Sequence, residues 1–339
     1  MKIAQVMAGA PAGGAELFFE RLSIALAQAG ETVLPVIRRN AARAVRLRDG
    51  GLAPVQLGFG GPLDLLTGPR LRAALRQFVP RVVVAWMNRA AHFTPRGDWV
   101  LAGRLGGYYD LAYYRRCDHL IGNTRGITEW IVRQGWPAAR VHHLGNFSPD
   151  MANAAPAQLP VPDGARVVLA LGRLHRNKAF DVLIQALPRV PNVHAVIAGE
   201  GPEHAALLDL ARREGCADRL HLVGWRSDTA SLLAAADMLV CPSRHEPLGN
   251  VVIEAWSAGR PVIAAAADGP RELIAPGADG VLVPPEDRDA LADAIVGLCD
   301  DPARGAALAE AGRLRYEAEY APAPVIARWR QFLATVEKP

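Results

Sequence analysis

Asp237-Met238-Leu239-Val240-Cys241-Pro242-Ser243 and, one residue later, His245-Glu246-Pro247-Leu248-Gly249-Asn250-Val251-Val252-Ile253-Glu254-Ala255-Trp256 carry the chain from one kind of structure into another. The first run is short and apolar and ends on proline, as a buried strand does; residues 249–258 place apolar side chains at helical spacing and stop at Gly259. A strand, a tight loop and a helix make the repeating piece of a parallel α/β sheet. Glu246 falls on the loop and Glu254 about one turn into the helix, so the amides of Gly249, Asn250 and Val251 lie between two acids at the positive helix end. Amides at that end hold an anion, and carboxylates beside them accept hydroxyl protons. The pair therefore suits a phosphorylated polyol such as a nucleotide sugar. Pro247 cannot donate a backbone hydrogen bond and Gly249 has no side-chain bulk, which lets a ligand approach the main chain.

The same alternation runs outward through all 339 residues. Residues 3–8, 32–37, 82–86 and 119–122 read as strands, and 15–29, 63–78 and 126–135 as helices. Proline, alanine and aspartate break the pattern over 146–164, which reads as a linker. Strands resume at 166–172, 193–198, 220–223, 238–241 and 262–265, separated by helices, and a last helical pattern covers 324–335. The expected architecture is α/β: two Rossmann-like domains facing a central cleft, with ligands at the carboxyl ends of the strands. Residues 1–150 form the first domain, 151–320 the second, and 321–339 a C-terminal helix packing back toward the first.

Half the residues are hydrophobic and a fifth charged, a globular composition with no low-complexity tract. The N-terminus reads as a strand rather than a leader, and no apolar run is long enough to span a bilayer, so a cytoplasmic protein is expected. Four scattered cysteines have neither zinc-site spacing nor disulfide density and read as core residues. The net charge of +4 hides an asymmetry: residues 1–150 carry 19 Lys+Arg against 10 Asp+Glu, and the rest 19 against 24. Aromatics are sparse and no basic tract is interleaved with them, which argues against nucleic acid. Arg70, Arg72 and Arg76 on an amphipathic helix, with Arg43, Arg46 and Arg48, instead fit peripheral contact with the inner face of the plasma membrane or a solvated helix face.

Three further loops carry binding chemistry. After the first strand, Gly9-Ala10-Pro11-Ala12-Gly13-Gly14-Ala15-Glu16 lets backbone amides approach a phosphate or a sugar but lacks the dinucleotide spacing G-x-G-x-x-G. After residue 171 comes Gly172-Arg173-Leu174-His175-Arg176-Asn177-Lys178. The chain has only Lys2, Lys178 and Lys338 against 35 arginines, so a loop lysine stands out. A compact ammonium fits between phosphate oxygens where a guanidinium fork does not, and Arg173 adds a second cation for a departing diphosphate. Gly199 and Glu200, with Gly224, Trp225 and Arg226 on a partner loop, can frame a nucleobase through main-chain groups.

In these residues the chain resembles family 4 of the retaining glycosyltransferases, enzymes of the two-Rossmann-domain architecture called GT-B. Gly172-Arg173-Leu174, Lys178-Ala179-Phe180-Asp181, Ala198-Gly199-Glu200-Gly201-Pro202 and the E-x7-E run from Glu246 to Glu254 follow the family's order. The resemblance implies that Arg173 and Lys178 bind the donor diphosphate, Glu254 the ribose and Glu246 the transferred sugar. It also implies that Gly249, Asn250 and Val251 help through their amides and that Gly14, next to Gly13, contacts the donor. Leu248 stands where many relatives have phenylalanine. After the fourth strand such enzymes supply a histidine near the reacting carbon; here that is His92, with Asn88 and Arg89 as alternatives. Family chemistry is front-face transfer with retention, without a metal or other cofactor, and no Asp-x-Asp motif is apparent.

The first domain is then the acceptor domain, where Arg104, Tyr108 and Tyr109 suit a glycan or an anionic glycolipid of lipopolysaccharide or surface-polysaccharide synthesis. A uridine diphosphate sugar is the favoured donor. Competing readings are a non-catalytic glycan- or nucleotide-binding protein of the same fold, a sugar-nucleotide epimerase and a nicotinamide-dependent dehydrogenase. The missing fingerprint at Gly9–Gly14 weighs against the last.

Overall fold

The computed structural model describes residues 1–11, 13–60 and 64–338. The chain divides into two compact units, Met1–Phe147 with Pro322–Pro339, and Ser148–Ala321. In the first unit β1 (Lys2–Met7), α1 (Gly14–Gln28), β2 (Thr32–Arg38), α2 (Ala41–Asp49), β3 (Val55–Leu57) and α3 (Thr67–Phe78) form one winding. Then follow β4 (Val82–Trp86), α4 (Met87–Phe93), β5 (Val100–Leu105), β6 (His119–Gly122), α5 (Arg125–Arg133) and β7 (Val141–His143). All seven strands are parallel, in the order β3-β2-β1-β4-β5-β6-β7. The winding reverses between β1 and β4, and their last residues, Met7 and Trp86, are register partners, as are Trp86 and Arg104 of β5.

The second unit contains β8 (Arg166–Leu171), α6 (Phe180–Ala186), β9 (Val193–Ala198), α7 (His204–Arg213), β10 (Leu220–Leu222), α8 (Thr229–Ala235) and β11 (Met238–Cys241). It continues through α9 (Asn250–Ser257), β12 (Val262–Ala265), α10 (Asp268–Leu273), β13 (Val281–Val283), α11 (Arg288–Asp300) and α12 (Pro302–Arg315). Its six parallel strands run β10-β9-β8-β11-β12-β13, with the reversal between β8 and β11. These strands are apolar on both faces because helices cover both sides, as a parallel sheet requires. The segment after Ser148 lies over this unit, where Met151 is buried and the Ala157 amide donates to the Ser231 carbonyl at 2.9 Å.

The last helix, α13 (Pro322–Thr335), belongs to the first unit, and its Val325, Trp329, Phe332 and Leu333 join a core with Phe18, Phe19 and Trp86. Beside it, His119 Nδ1 and His142 Nε2 lie 2.9 Å apart, and His119 Nε2 lies 2.7 Å from the Glu337 carbonyl. Burial, with His119 adding to it, pushes the His142 pKa down to about 4. The unfolded chain therefore binds more protons than the native one between pH 6.5 and 4. Stability of the first unit is expected to be full above that window and to fall as the pH drops through it. Thermal melts across that range should show the loss, and His142→Phe should flatten it; an unchanged slope in the variant removes the assignment.

Several elements differ from the sequence reading. Residues 100–105, 55–57, 141–143 and 281–283 add strands that periodicity does not register, because three of the four are only three residues long. β5 is continuous, but Gly103 and Arg104 interrupt its apolar run in the sequence. Residues 41–49 and 87–93 add helices, and the helix expected over 63–78 begins at Thr67; Leu63 itself lies outside the described residues. No helix among the described residues is long and apolar enough to cross a membrane.

Candidate functional site

At the winding reversal of the second unit, the loops after β8 and β11 meet. Open α/β sheets bind ligands at this point because adjacent loops diverge to opposite faces and leave a crevice. The first loop bends at Ala179, in the left-handed region at φ 52°, which turns Lys178 inward. The second ends at Gly249, with φ 89° at the N-cap of α9, a conformation glycine adopts without penalty. Between them the Lys178 ammonium is ion-paired with Glu246 Oε2. Glu246 Oε1 accepts from the Gly249 amide at 3.3 Å, and the Ser243 hydroxyl donates to Oε2 at 3.4 Å. Lys178, expected at a diphosphate, is thus held against the carboxylate expected at the sugar.

The electrostatics keep that lysine charged. Burial opposes the ammonium, but the charge and hydrogen bond of Glu246, with Glu254 adding to them, outweigh it, and the Lys178 pKa is raised. Burial in turn pushes the neighbouring Cys241 thiol up to about 11, so it stays protonated. Arg173 is exposed and makes no side-chain hydrogen bond or ion pair among the described residues. Glu254 stands in α9 with Asn250 and Val251 at the helix start. The Leu248 side chain is buried in the core, and its main chain packs so closely on Gly269 that a Cβ there would overlap it.

The loops after β9 and β10 are laced to this pair. The Gly199 amide donates to the Gly224 carbonyl at 2.8 Å, and the Leu174 amide to the Glu200 carbonyl at 2.9 Å. Trp225 is 66% exposed, an unusual setting for an indole and one suited to a flat ligand. Arg226 is held in a two-pronged pair with Asp228, with one prong at 2.7 Å, so it helps shape the loop.

In the first unit the predicted residues fall in different settings. Gly13 caps α1 and Gly14 opens it. His92 sits exposed in the last turn of α4, not on a loop, with its ring 5.5 Å from Phe93 and 6.2 Å from Tyr113. Asn88 is nearer the end of β4 and accepts from the Tyr114 hydroxyl at 3.0 Å. Arg104 lies in β5, 2% exposed, 4.3 Å over the Trp86 ring and 5.0 Å over Phe18. Burial pushes its pKa down to about 9, against the pull of Tyr109. Tyr108 is exposed against Trp130, and Tyr109 is half-buried.

The sequence reading passes over two positioning groups. Arg244 pairs with Asp181 through two nitrogens at 2.8 and 2.6 Å, with Glu286, and with the Arg176 carbonyl at 2.9 Å. Its own amide and that of His245 donate to the Asn177 carbonyl, fastening the β11 loop to the β8 loop. Ser243, 1% exposed, orients Glu246. Both lie within three residues of Glu246, and that adjacency is the only signal of them in the sequence.

Comparison with known proteins concerns the family and the fold. The family described as "Glycosyl transferases group 1" matches residues 165–301. A lipopolysaccharide core biosynthesis glycosyltransferase of Rhizobium meliloti, LpsE, is 32% identical over 95% of this chain and 96% of its own length. A second from the same organism, LpsD, is 35% identical over 89% of each chain. The crystal structure of Anabaena HepE in complex with UDP and glucose superposes with a TM-score of 0.86 at 23% identity, covering 99% of this chain and all of HepE. With relatives above 30% identity along nearly its whole length, the chain belongs to the group 1 glycosyltransferases and has their two-Rossmann-domain GT-B fold.

Proposed function

We propose that the protein is a retaining, metal-independent hexosyltransferase that moves a sugar from a nucleoside-diphosphate sugar, with uridine favoured, to a glycan or glycolipid acceptor. Its place is lipopolysaccharide or surface-polysaccharide synthesis, as the named activity of the Rhizobium relatives suggests. The observation that carries this reading is the Lys178–Glu246 pair at the winding reversal, beside the amides that open α9. Lys178 and Arg173 neutralise the departing diphosphate, Glu246 accepts the hydroxyls of the transferred sugar, and Glu254 accepts those of the ribose. The loops bearing Gly199, Glu200, Gly224, Trp225 and Arg226 frame the base. Gly13 and Gly14 contribute main-chain contacts, His92 lies near the reacting carbon, and Arg104, Tyr108 and Tyr109 belong to the acceptor side.

The chemistry follows from charge placement. Cations fixed where negative charge develops stabilise the transition state more than the ground state, and fixed groups lose nothing to reorganisation as the bond breaks. The acceptor hydroxyl attacks the face the diphosphate leaves and passes its proton to the departing phosphate oxygen, so the anomeric configuration is kept without a protein nucleophile. Leu65 and Leu66, 81% and 59% exposed, precede Arg70, Arg72 and Arg76 on α3 and support a cytoplasmic protein that rests peripherally on an anionic membrane face.

Incubation with labelled UDP-sugars and deacylated core oligosaccharide tests the reading: an α-linked product from an α-linked donor is expected, at an undiminished rate in EDTA. Activity lost in EDTA and restored by manganese overturns metal independence. An isomerised donor with no transfer would mean an epimerase, and glycan binding without turnover a binding protein.

A further inference from the structure

The first unit has a winding reversal of its own, between β1 and β4, where the donor reading uses the main chain of Gly13 and Gly14 and leaves Glu16 without a role. Against the described residues of the loop after β1 the chain places an anion of its own. Glu16, in the first turn of α1, folds back so that Oε1 accepts from the Ala10 amide at 2.8 Å. A Cβ at Gly9 or at Gly13 would overlap this carboxylate, so both glycines leave room for Glu16. The residue is 6% exposed, makes this single hydrogen bond and has no cation within 4 Å among the described residues. A carboxylate so placed repels a phosphate, and its remaining lone pairs call for hydroxyl donors.

Other groups at the same edge are equally unsatisfied. The buried Arg104 guanidinium bonds Asn146 Oδ1 at 2.6 Å, but its Nε has no protein partner and no carboxylate lies within 4 Å of it among the described residues. Asn123, 6% exposed at the start of the loop after β6, leaves Oδ1 unpartnered. Its Nδ2 and the Tyr109 hydroxyl lie 3.7 and 4.0 Å from the space a Cβ at Gly106 would take. Tyr109 stands within electrostatic reach of both Glu16 and Arg104. Buried polar atoms left without partners mark a place where a polar ligand completes the set.

We propose that Glu16 is a sugar-binding residue of the acceptor site, accepting hydroxyl protons of the acceptor's terminal sugar, with Tyr109 and Asn123 completing the contact. This rests on the glycosyltransfer reading above. Glu16→Gln is the discriminating variant, because glutamine keeps the volume and the acceptor for the Ala10 amide while it removes the charge and turns the other oxygen, an acceptor, into an NH2 donor. The expected result is a rise of roughly tenfold or more in KM for deacylated core oligosaccharide, with donor KM and Tm little changed. Gly9→Ala, which displaces the carboxylate without deleting it, should move the acceptor KM in the same direction. Saturation-transfer NMR with the same oligosaccharide, without donor, reads binding apart from turnover. Equal acceptor binding by wild type and Glu16→Gln overturns the proposal while leaving glycosyl transfer intact. A rise confined to donor KM overturns it by assigning Glu16 to the donor. A wild-type protein that neither binds the oligosaccharide nor transfers to it overturns both.

Discussion

Replacing Lys178 by alanine is expected to lower kcat/KM for sugar transfer by roughly thirty- to a thousandfold, about 2–4 kcal/mol, and Glu246→Ala should do the same. The ammonium is held charged by Glu246 and Glu254, so on the proposed reading a full cation meets the departing diphosphate at neutral pH. Its removal leaves Glu246 with only Ser243 and the Gly249 amide, a half-buried carboxylate without its counter-charge. Arginine should not rescue it: the lysine stem passes Gly172 so closely that a Cβ there would lie 3.1 Å from Cε, and a guanidinium fork is wider than the ammonium it replaces. Because the two residues act as a pair, the double alanine variant should cost much less than the sum of the single variants. Steady-state transfer kinetics decide the matter; a Lys178→Ala enzyme within threefold of wild type would remove the lysine from the mechanism.

Gly199→Ala is expected to destabilise the second unit by about 3 kcal/mol or more, a large effect for one methyl group. Gly199 has φ 157°, and a Cβ there would overlap the carbonyl carbon and oxygen of Gly172. Both clashing atoms are backbone, so no rotamer relieves the overlap, and the ends of β8 and β9 would have to part. The loop that carries Arg173 and Lys178 would move with them, so donor affinity should fall alongside stability. Urea unfolding supplies the number, and a loss below about 1 kcal/mol would show that the strand ends can yield.

What the sequence revealed and what it hid have physical causes. β8, β9 and β11 are apolar runs buried on both faces, so composition alone marks them, and Lys178 stood out because lysine is nearly absent from an arginine-rich chain. β3, β7 and β13 are edge or near-edge strands of three residues, too short for a periodic signal. β5 was hidden by Arg104, whose charge is accommodated by the faces of Trp86 and Phe18, residues distant in sequence. The Glu16 carboxylate fills space that Gly9 and Gly13 leave open by lacking side chains, a fit that no local pattern reports. His92 reads as a loop residue because the two-turn helix α4 starts directly after β4 with Met87 at φ 62°, a conformation imposed by the surrounding packing.

The chain's route through its two units also sets an order of assembly. The second unit is one uninterrupted stretch, whereas the first is built from Met1–Phe147 and from Pro322 onward. As the ribosome delivers the chain, the second unit can finish its core while the first still lacks α13. Until Trp329, Phe332 and Leu333 emerge, the face of the first unit that carries Phe18, Phe19 and Trp86 stays uncovered, a greasy surface open to chaperones and proteases. Residues made before the second unit are therefore locked after it.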